Sequence, residues 1–272
     1  MTLKTDHSFH IGEQHLRTGK PCQDYALSGT DYAIVADGCS SGGMTDFGAR
    51  LISLALKQAA VTGPLPGLVD RTQAYLDTMR RSLELDTRDM LATGLIAIAH
   101  SPEHVGVVVL GDGVIIEQAA HGTLYAYKYE WSDNAPFYLA YTQADRASFL
   151  ARQPTLTCER WTIQGSDTWK HVRTTDQSVA MAIREGVNWS TGLIERGDKP
   201  PRAVGLFSDG VLQVDNLPWQ KVVWELMSFK STNGQFATRR MNRFLTDAKK
   251  IGRGPIDDIA MAVIHLGRDQ ET

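Results

Sequence analysis

What most constrains this chain is a set of short, almost unbroken apolar runs, several of which stop at an acidic residue followed by glycine. The runs are Tyr32–Ala36, Leu95–Ala99, Val105–Leu110, Val114–Ile116, Ala203–Phe207 and Ile259–Ile264, with a Tyr-rich run from Thr123 to Trp131. Runs this short, without polar alternation, read as strands covered on both faces. Between them the apolar spacing changes to three and four. Thr45-Asp46 can cap a helix through Ala49, Leu51, Ile52, Leu54, Ala55 and Ala59. The breakers Gly63–Gly67 separate it from a second helix carrying Leu68, Tyr75, Leu76, Met79 and Leu83. Two more helices are expected at Trp219–Met227 and Phe236–Ile251, and a short one at Ser178–Glu185. Strands joined by short turns, with helices in pairs, predict an α+β fold rather than a doubly wound sheet. No repeat or long linker divides the chain, so one domain over residues 1–272 is expected. Residues 133–188 show no clean periodicity, and loops and edge strands are expected there.

Composition excludes several classes of function. The 272 residues carry 28 Lys and Arg against 31 Asp and Glu, a net charge of −3, and no run of four basic residues. That balance argues against a nucleic-acid-binding protein. No apolar stretch approaches the roughly 20 residues of a membrane helix. The opening residues Met1–His7 lack the apolar core of a secretion signal, so a cytoplasmic location is expected. Cys22, Cys39 and Cys158 are widely spaced and odd in number, which argues against a disulfide framework and a zinc knuckle.

The acidic positions carry the chemistry. Apolar runs lead into Asp37-Gly38, Asp112-Gly113 and Asp209-Gly210, Asp257-Asp258 precedes the last run, and Asp24 opens another strand pattern. Any single Asp-Gly also reads as a turn, because glycine permits positive φ. That reading is strongest for Asp112-Gly113, which apolar runs flank directly. Taken together, carboxylates gathered at strand ends repel one another unless a cation lies between them. An all-oxygen donor set suits Mg²⁺ or Mn²⁺. Two such ions about 4 Å apart can clamp a phosphoryl group.

In order, Gly19-Lys20-Pro21-Cys22-Gln23-Asp24, Val35-Ala36-Asp37-Gly38, Gly111-Asp112-Gly113, Phe207-Ser208-Asp209-Gly210 and Gly254-Pro255-Ile256-Asp257-Asp258 resemble the motifs of the metal-dependent protein phosphatases of the 2C type. The likeness is greatest to their compact bacterial members and runs from about residue 10 to residue 266. It implies a four-layer α-β-β-α sandwich of two mostly antiparallel sheets flanked by helix pairs. It implies that Asp37 bridges two Mn²⁺ or Mg²⁺ ions, that the Gly38 carbonyl binds one of them, and that Asp209 and Asp257 complete the other. Asp24 would act through metal-bound water, and Asp112 would help hold a weaker third ion. The implied reaction is hydrolysis of phosphoserine or phosphothreonine in a protein by a hydroxide bridging the two ions, with a paired protein kinase as a possible partner.

The chain also departs from the family pattern. Gly19 stands where the family carries a phosphate-gripping Arg, leaving Arg17 or Lys20 as substitutes. A lysine is a point charge rather than a bidentate fork. Cys39 follows the second Asp-Gly where some members have a His, and Asp258 replaces an Asn. Cys39 is read as a packed residue and His15 as structural or exposed. These departures keep two alternatives open: a catalytically weak signalling or scaffold domain, and a phosphatase of small metabolites.

Overall fold

The computed structural model describes residues 3–190 and 201–267. Its strands are β1 (Lys4–His10), β2 (Asp24–Ser28), β3 (Tyr32–Asp37), β4 (Gly94–Ser101), β5 (His104–Leu110), β6 (Gly113–Gln118), β7 (Leu124–Trp131), β8 (Leu156–Gly165), β9 (Thr168–Gln177), β10 (Val187–Ser190), β11 (Ala203–Phe207) and β12 (Ile259–His265). Its helices are α1 (Glu13–Thr18), α2 (Thr45–Thr62), α3 (Leu68–Ser82), α4 (Gln143–Ala151), α5 (Val179–Glu185), α6 (Trp219–Leu226) and α7 (Phe236–Lys250).

The strands form two antiparallel sheets, one of seven in the order β1-β12-β11-β6-β7-β8-β9 and one of five in the order β10-β5-β4-β3-β2. The expected α+β sandwich is present, and the apolar runs explain it. On β3, Ala33 and Val35 face the other sheet while Tyr32, Ile34 and Ala36 pack under α2 and α3. On β12, Ala260, Ala262 and Ile264 point between the sheets, whereas Ile259, Met261 and Val263 meet α6 and α7. Strands apolar on both sides are needed because each sheet is covered twice. The layers are therefore α2/α3, small sheet, large sheet, α6/α7.

The segment 133–188 holds the expected short helix, α5, and the expected edge strands as a long hairpin, β8–β9, at the border of the large sheet; α4 is a helix the sequence did not show. β9 is exposed along most of its length and mostly polar, with Lys170, Arg173, Thr174 and Asp176, so no apolar alternation marks it. Thr45 also departs from expectation. It lies inside the first turn of α2, and its hydroxyl donates to the Cys39 carbonyl at 2.9 Å instead of capping the helix. The helix start is satisfied from a distance, as the Met44 N–H donates to Asp89 Oδ1 at 2.9 Å.

Candidate active site

The site is assembled at one end of the sandwich, where both sheets deliver strand termini. Asp24 begins β2 and stands opposite Asp37, the last residue of β3. Asp209 follows β11 as the first residue of a 3₁₀ turn, Asp209–Leu212. Asp257 and Asp258 lie just ahead of β12. Asp112 sits where the chain crosses from β5 in the small sheet to β6 in the large one. This corrects the hairpin reading of Asp112-Gly113, since the flanking strands do not pair with each other. The step between sheets needs unusual backbone: Gly111 has φ 103° and Gly113 has φ 133°, values that side chains disfavour. The Trp131 indole N–H donates to the Gly111 carbonyl at 2.8 Å and ties this crossover to β7.

Asp37, Asp112, Asp209 and Asp257 line one cavity of about 250 Å³ together with Gly38, and among the described residues no Lys, Arg or His lines it. The Asp37 carboxyl is within hydrogen-bonding reach of both Asp24 and Asp209. Burial, followed by the charges of Asp24, Asp209 and Asp112, holds Asp37 well above the usual carboxylate range. Asp112 is raised by burial and by Asp209, and Asp209 by burial and by Asp257. Asp24 lies behind the cavity wall, fully enclosed, and accepts a hydrogen bond from the Ser208 hydroxyl at 2.5 Å. Burial raises its carboxyl too, and the nearby Asp209 and Asp258 add to the effect. Carboxylates that raise one another, with no cation on the wall, form a donor set suited to hard divalent ions. Position 38 has to be glycine, because a Cβ there would lie 2.4 Å from the Thr45 carbonyl oxygen. The tight approach keeps the loop after β3 against the start of α2.

Asp258 has a different task. Its Oδ1 accepts the Gly12 N–H at 2.7 Å, and its Oδ2 accepts the Gln23 N–H at 2.5 Å and faces His15 Nδ1 at 2.8 Å. These bonds join the segment before α1, the start of β2 and the approach to β12. His15, buried beside it, is therefore structural, and Nδ1 lies 3.9 Å from Asp257. The three residues lie close enough to hold an ion. Asp258, however, already has both oxygens engaged by the protein.

The two basic candidates separate. Arg17 is exposed and pairs with Glu13 on its own helix. Lys20 reaches the rim, where its ammonium donates to the Ser40 carbonyl at 3.0 Å. Sequence reasoning missed the polar wall residues Asn134, Tyr138 and Gln213. Tyr138 and Asn134 come from the segment with no periodicity. Gln213, just after the 3₁₀ turn, donates to Asp209 Oδ2 at 3.3 Å. Burial, and Cys39 beside it, push the Tyr138 hydroxyl far above its ordinary value, so it stays protonated. Arg88 was missed too; it donates to the Ser41 carbonyl at 3.5 Å, close to the same rim. No local motif marks any of these positions.

The family profile for protein phosphatase 2C matches residues 11–246. The chain belongs to the protein phosphatase 2C family. Its fold is that of solved members with little sequence in common. The catalytic domain of the serine/threonine protein phosphatase PstP, in complex with two manganese ions, is 14% identical, with TM-score 0.51 and 97% of each chain covered. The Ser-Thr phosphatase MsPP from Mycobacterium smegmatis is 16% identical, with TM-score 0.53, over 98% of this chain and all of that one. A structure described under the bacterial stressosome, a modular system adapted to control secondary messenger signalling, is 12% identical, with TM-score 0.52, over 97% and 100% of the two chains. Among curated proteins none is similar enough to count as a match. At these identities the likeness establishes the phosphatase 2C fold. Among the described residues no helix is long and apolar enough to cross a membrane.

Proposed function

We propose that this phosphatase 2C chain is a metal-dependent phosphatase of phosphoserine and phosphothreonine in proteins. The observation that carries the reading is the cavity in which Asp37, Asp112, Asp209 and Asp257 meet without a cation of the protein. Asp37, Asp209, Asp257 and the Gly38 carbonyl would hold two Mn²⁺ or Mg²⁺ ions, with Asp37 shared between them and Asp112 at a third, weaker position. When bound, such ions activate water and neutralise the charge on the phosphoryl group. The protein's own part is positioning. Asp24, fixed by Ser208, holds Asp37 from behind, and Gln213 orients Asp209. The Tyr138 hydroxyl on the cavity wall, held neutral, offers a hydrogen bond without adding charge. Lys20 at the rim is the cation best placed to meet a substrate phosphate.

One observation favours a second reading, a catalytically weak regulatory domain. Among the described residues no arginine lines the cavity, and Arg17 is committed to Glu13. The likeness to a stressosome structure points the same way. Hydrolysis of an aryl phosphate with and without Mn²⁺, followed by a phosphopeptide panel, separates the readings. The phosphatase reading expects turnover that EDTA abolishes and Mn²⁺ restores, with phosphopeptides cleaved in preference to small phosphorylated metabolites. No turnover at saturating Mn²⁺ leaves the regulatory reading, and a preference for metabolites overturns the protein-substrate assignment.

A further inference from the structure

A second concave site lies at the opposite end of the large sheet. Arg202 immediately precedes β11 and Asp209 follows it, so the two sites are separated by the length of that strand. The loop from α6 to α7 opens a cavity of about 470 Å³ lined by Lys230, Arg239, Arg240 and Arg243 together with Phe229 and Asp247. A neighbouring cavity of about 310 Å³ shares Phe229, Lys230 and Arg240 and adds Arg202 and Trp224.

The charges here do not balance. Arg243 pairs with Asp247 at 2.6 Å, and Arg240 lies 3.7 Å from Glu225. Arg239 donates only to backbone carbonyls of Ser231 and Asn233. Lys230 makes no hydrogen bond or ion pair with the described residues. Four cations thus face two carboxylates in a chain whose net charge is −3. Arg239 and Arg243, four residues apart on α7, repel each other, which weakens the helix unless an anion lies between them. Arg240 is half-buried, so its charge is only partly solvated. The rings of Phe229 and Trp224 are half-exposed and offer a stacking surface next to these cations.

We propose that this pocket binds an organic phosphate of nucleotide size, its phosphates against Lys230 and the arginines and its base on Phe229 and Trp224. Guanidinium forks match phosphate oxygens, and the volumes fall within the range of roughly 300–1,000 Å³ of small-molecule sites. The inference stands apart from the phosphatase reading, because it uses none of the acidic residues.

The test is calorimetric titration of the full chain in EDTA with ADP, GDP, inorganic phosphate and an acidic peptide. Chelation prevents nucleotides from binding through metal at the acidic site. ADP or GDP is expected to bind with Kd below about 1 mM, and Lys230→Glu and Arg243→Gln to weaken binding about tenfold or more. Both variants should keep the wild-type melting temperature and aryl-phosphate turnover. Asp37→Asn should leave nucleotide binding intact. The proposal is overturned if neither nucleotide binds at millimolar concentration, or if both basic variants bind as well as wild type. Binding lost in Asp37→Asn, inorganic phosphate binding as tightly as ADP, or the acidic peptide outcompeting the nucleotides would overturn it as well.

Discussion

At the residue scale, the acidic end of the sandwich contains carboxylates with different tasks. Asp37 is in reach of Asp24 and Asp209 and faces the cavity. Replacing it by Asn removes the charge that two ions would share. Turnover at saturating Mn²⁺ should fall by three orders of magnitude or more, about 4 kcal/mol or more of lost transition-state stabilisation. The metal-free variant should melt no lower than wild type, because repulsion among the buried carboxylates is relieved. Near-normal turnover would exclude Asp37 as the shared ligand. Asp258 predicts the reverse pattern. Asp258→Ala leaves the buried N–H groups of Gly12 and Gln23 without their acceptor. A loss of about 3 kcal/mol in denaturant unfolding is expected, at the typical cost of unsatisfied buried donors. An unchanged unfolding midpoint would show that water or another group replaces this acceptor.

At the element scale, the crossover from β5 to β6 decides how Asp112 is presented. Because β5 and β6 belong to different sheets, Asp112 is not part of a hairpin, and its carboxyl points into the acidic cavity. Asp112→Asn keeps the backbone of Asp-Gly and removes one charge. The melting temperature should stay close to wild type, while kcat falls and more Mn²⁺ is needed to recover it. If kcat and the Mn²⁺ midpoint both stay the same, Asp112 has no metal role. Trp131→Phe tests the crossover itself. The change removes the indole N–H that satisfies the Gly111 carbonyl and should cost about 1–2 kcal/mol. It should also raise the Mn²⁺ midpoint by loosening the Asp112 position. A destabilised variant with an unaltered Mn²⁺ midpoint would separate the crossover's stability from the site.

At the scale of the whole molecule, gathering carboxylates opposes folding. Asp24, Asp37, Asp112 and Asp209 all lie above the usual carboxylate range in the folded protein. A group whose folded value is raised binds more protons folded than unfolded, so stability falls as pH rises through the interval between the two values. The metal-free protein therefore carries its full penalty at high pH. Burial lowers His7 and His10 from 6.5, and this has the opposite sign, costing stability as pH falls below that value. The comparison that isolates the carboxylates is the melting-temperature difference between Mn²⁺ and EDTA at each pH. The difference should grow from pH 5 to pH 8, because protons and metal compete for the same oxygens. A difference independent of pH would count against the buried carboxylates as the metal's ligands.

The apolar runs by themselves determined that the strands are covered on both faces in an α+β fold, the family resemblance supplied the four-layer sandwich, and the three- and four-residue spacings located α2, α3, α6 and α7. The ordered Asp-Gly motifs determined which carboxylates to examine, since acidic residues at the ends of buried strands are costly without a purpose. What only the tertiary structure decided depends on contacts between distant segments. Sequence could not tell a turn from a crossover at Asp112-Gly113, because which strand pairs with which is set by the sheets and not by the local residues. The resemblance singled out Asp257 over Asp258, but that Asp258 anchors the Gly12 and Gln23 N–H groups depends on segments that only folding brings beside it. Tyr138 and Asn134 reach the cavity through folding alone, and no periodicity marks them. The long β8–β9 hairpin was obscured for a related reason: its outer strand borders solvent, and a polar edge leaves no apolar signature to read.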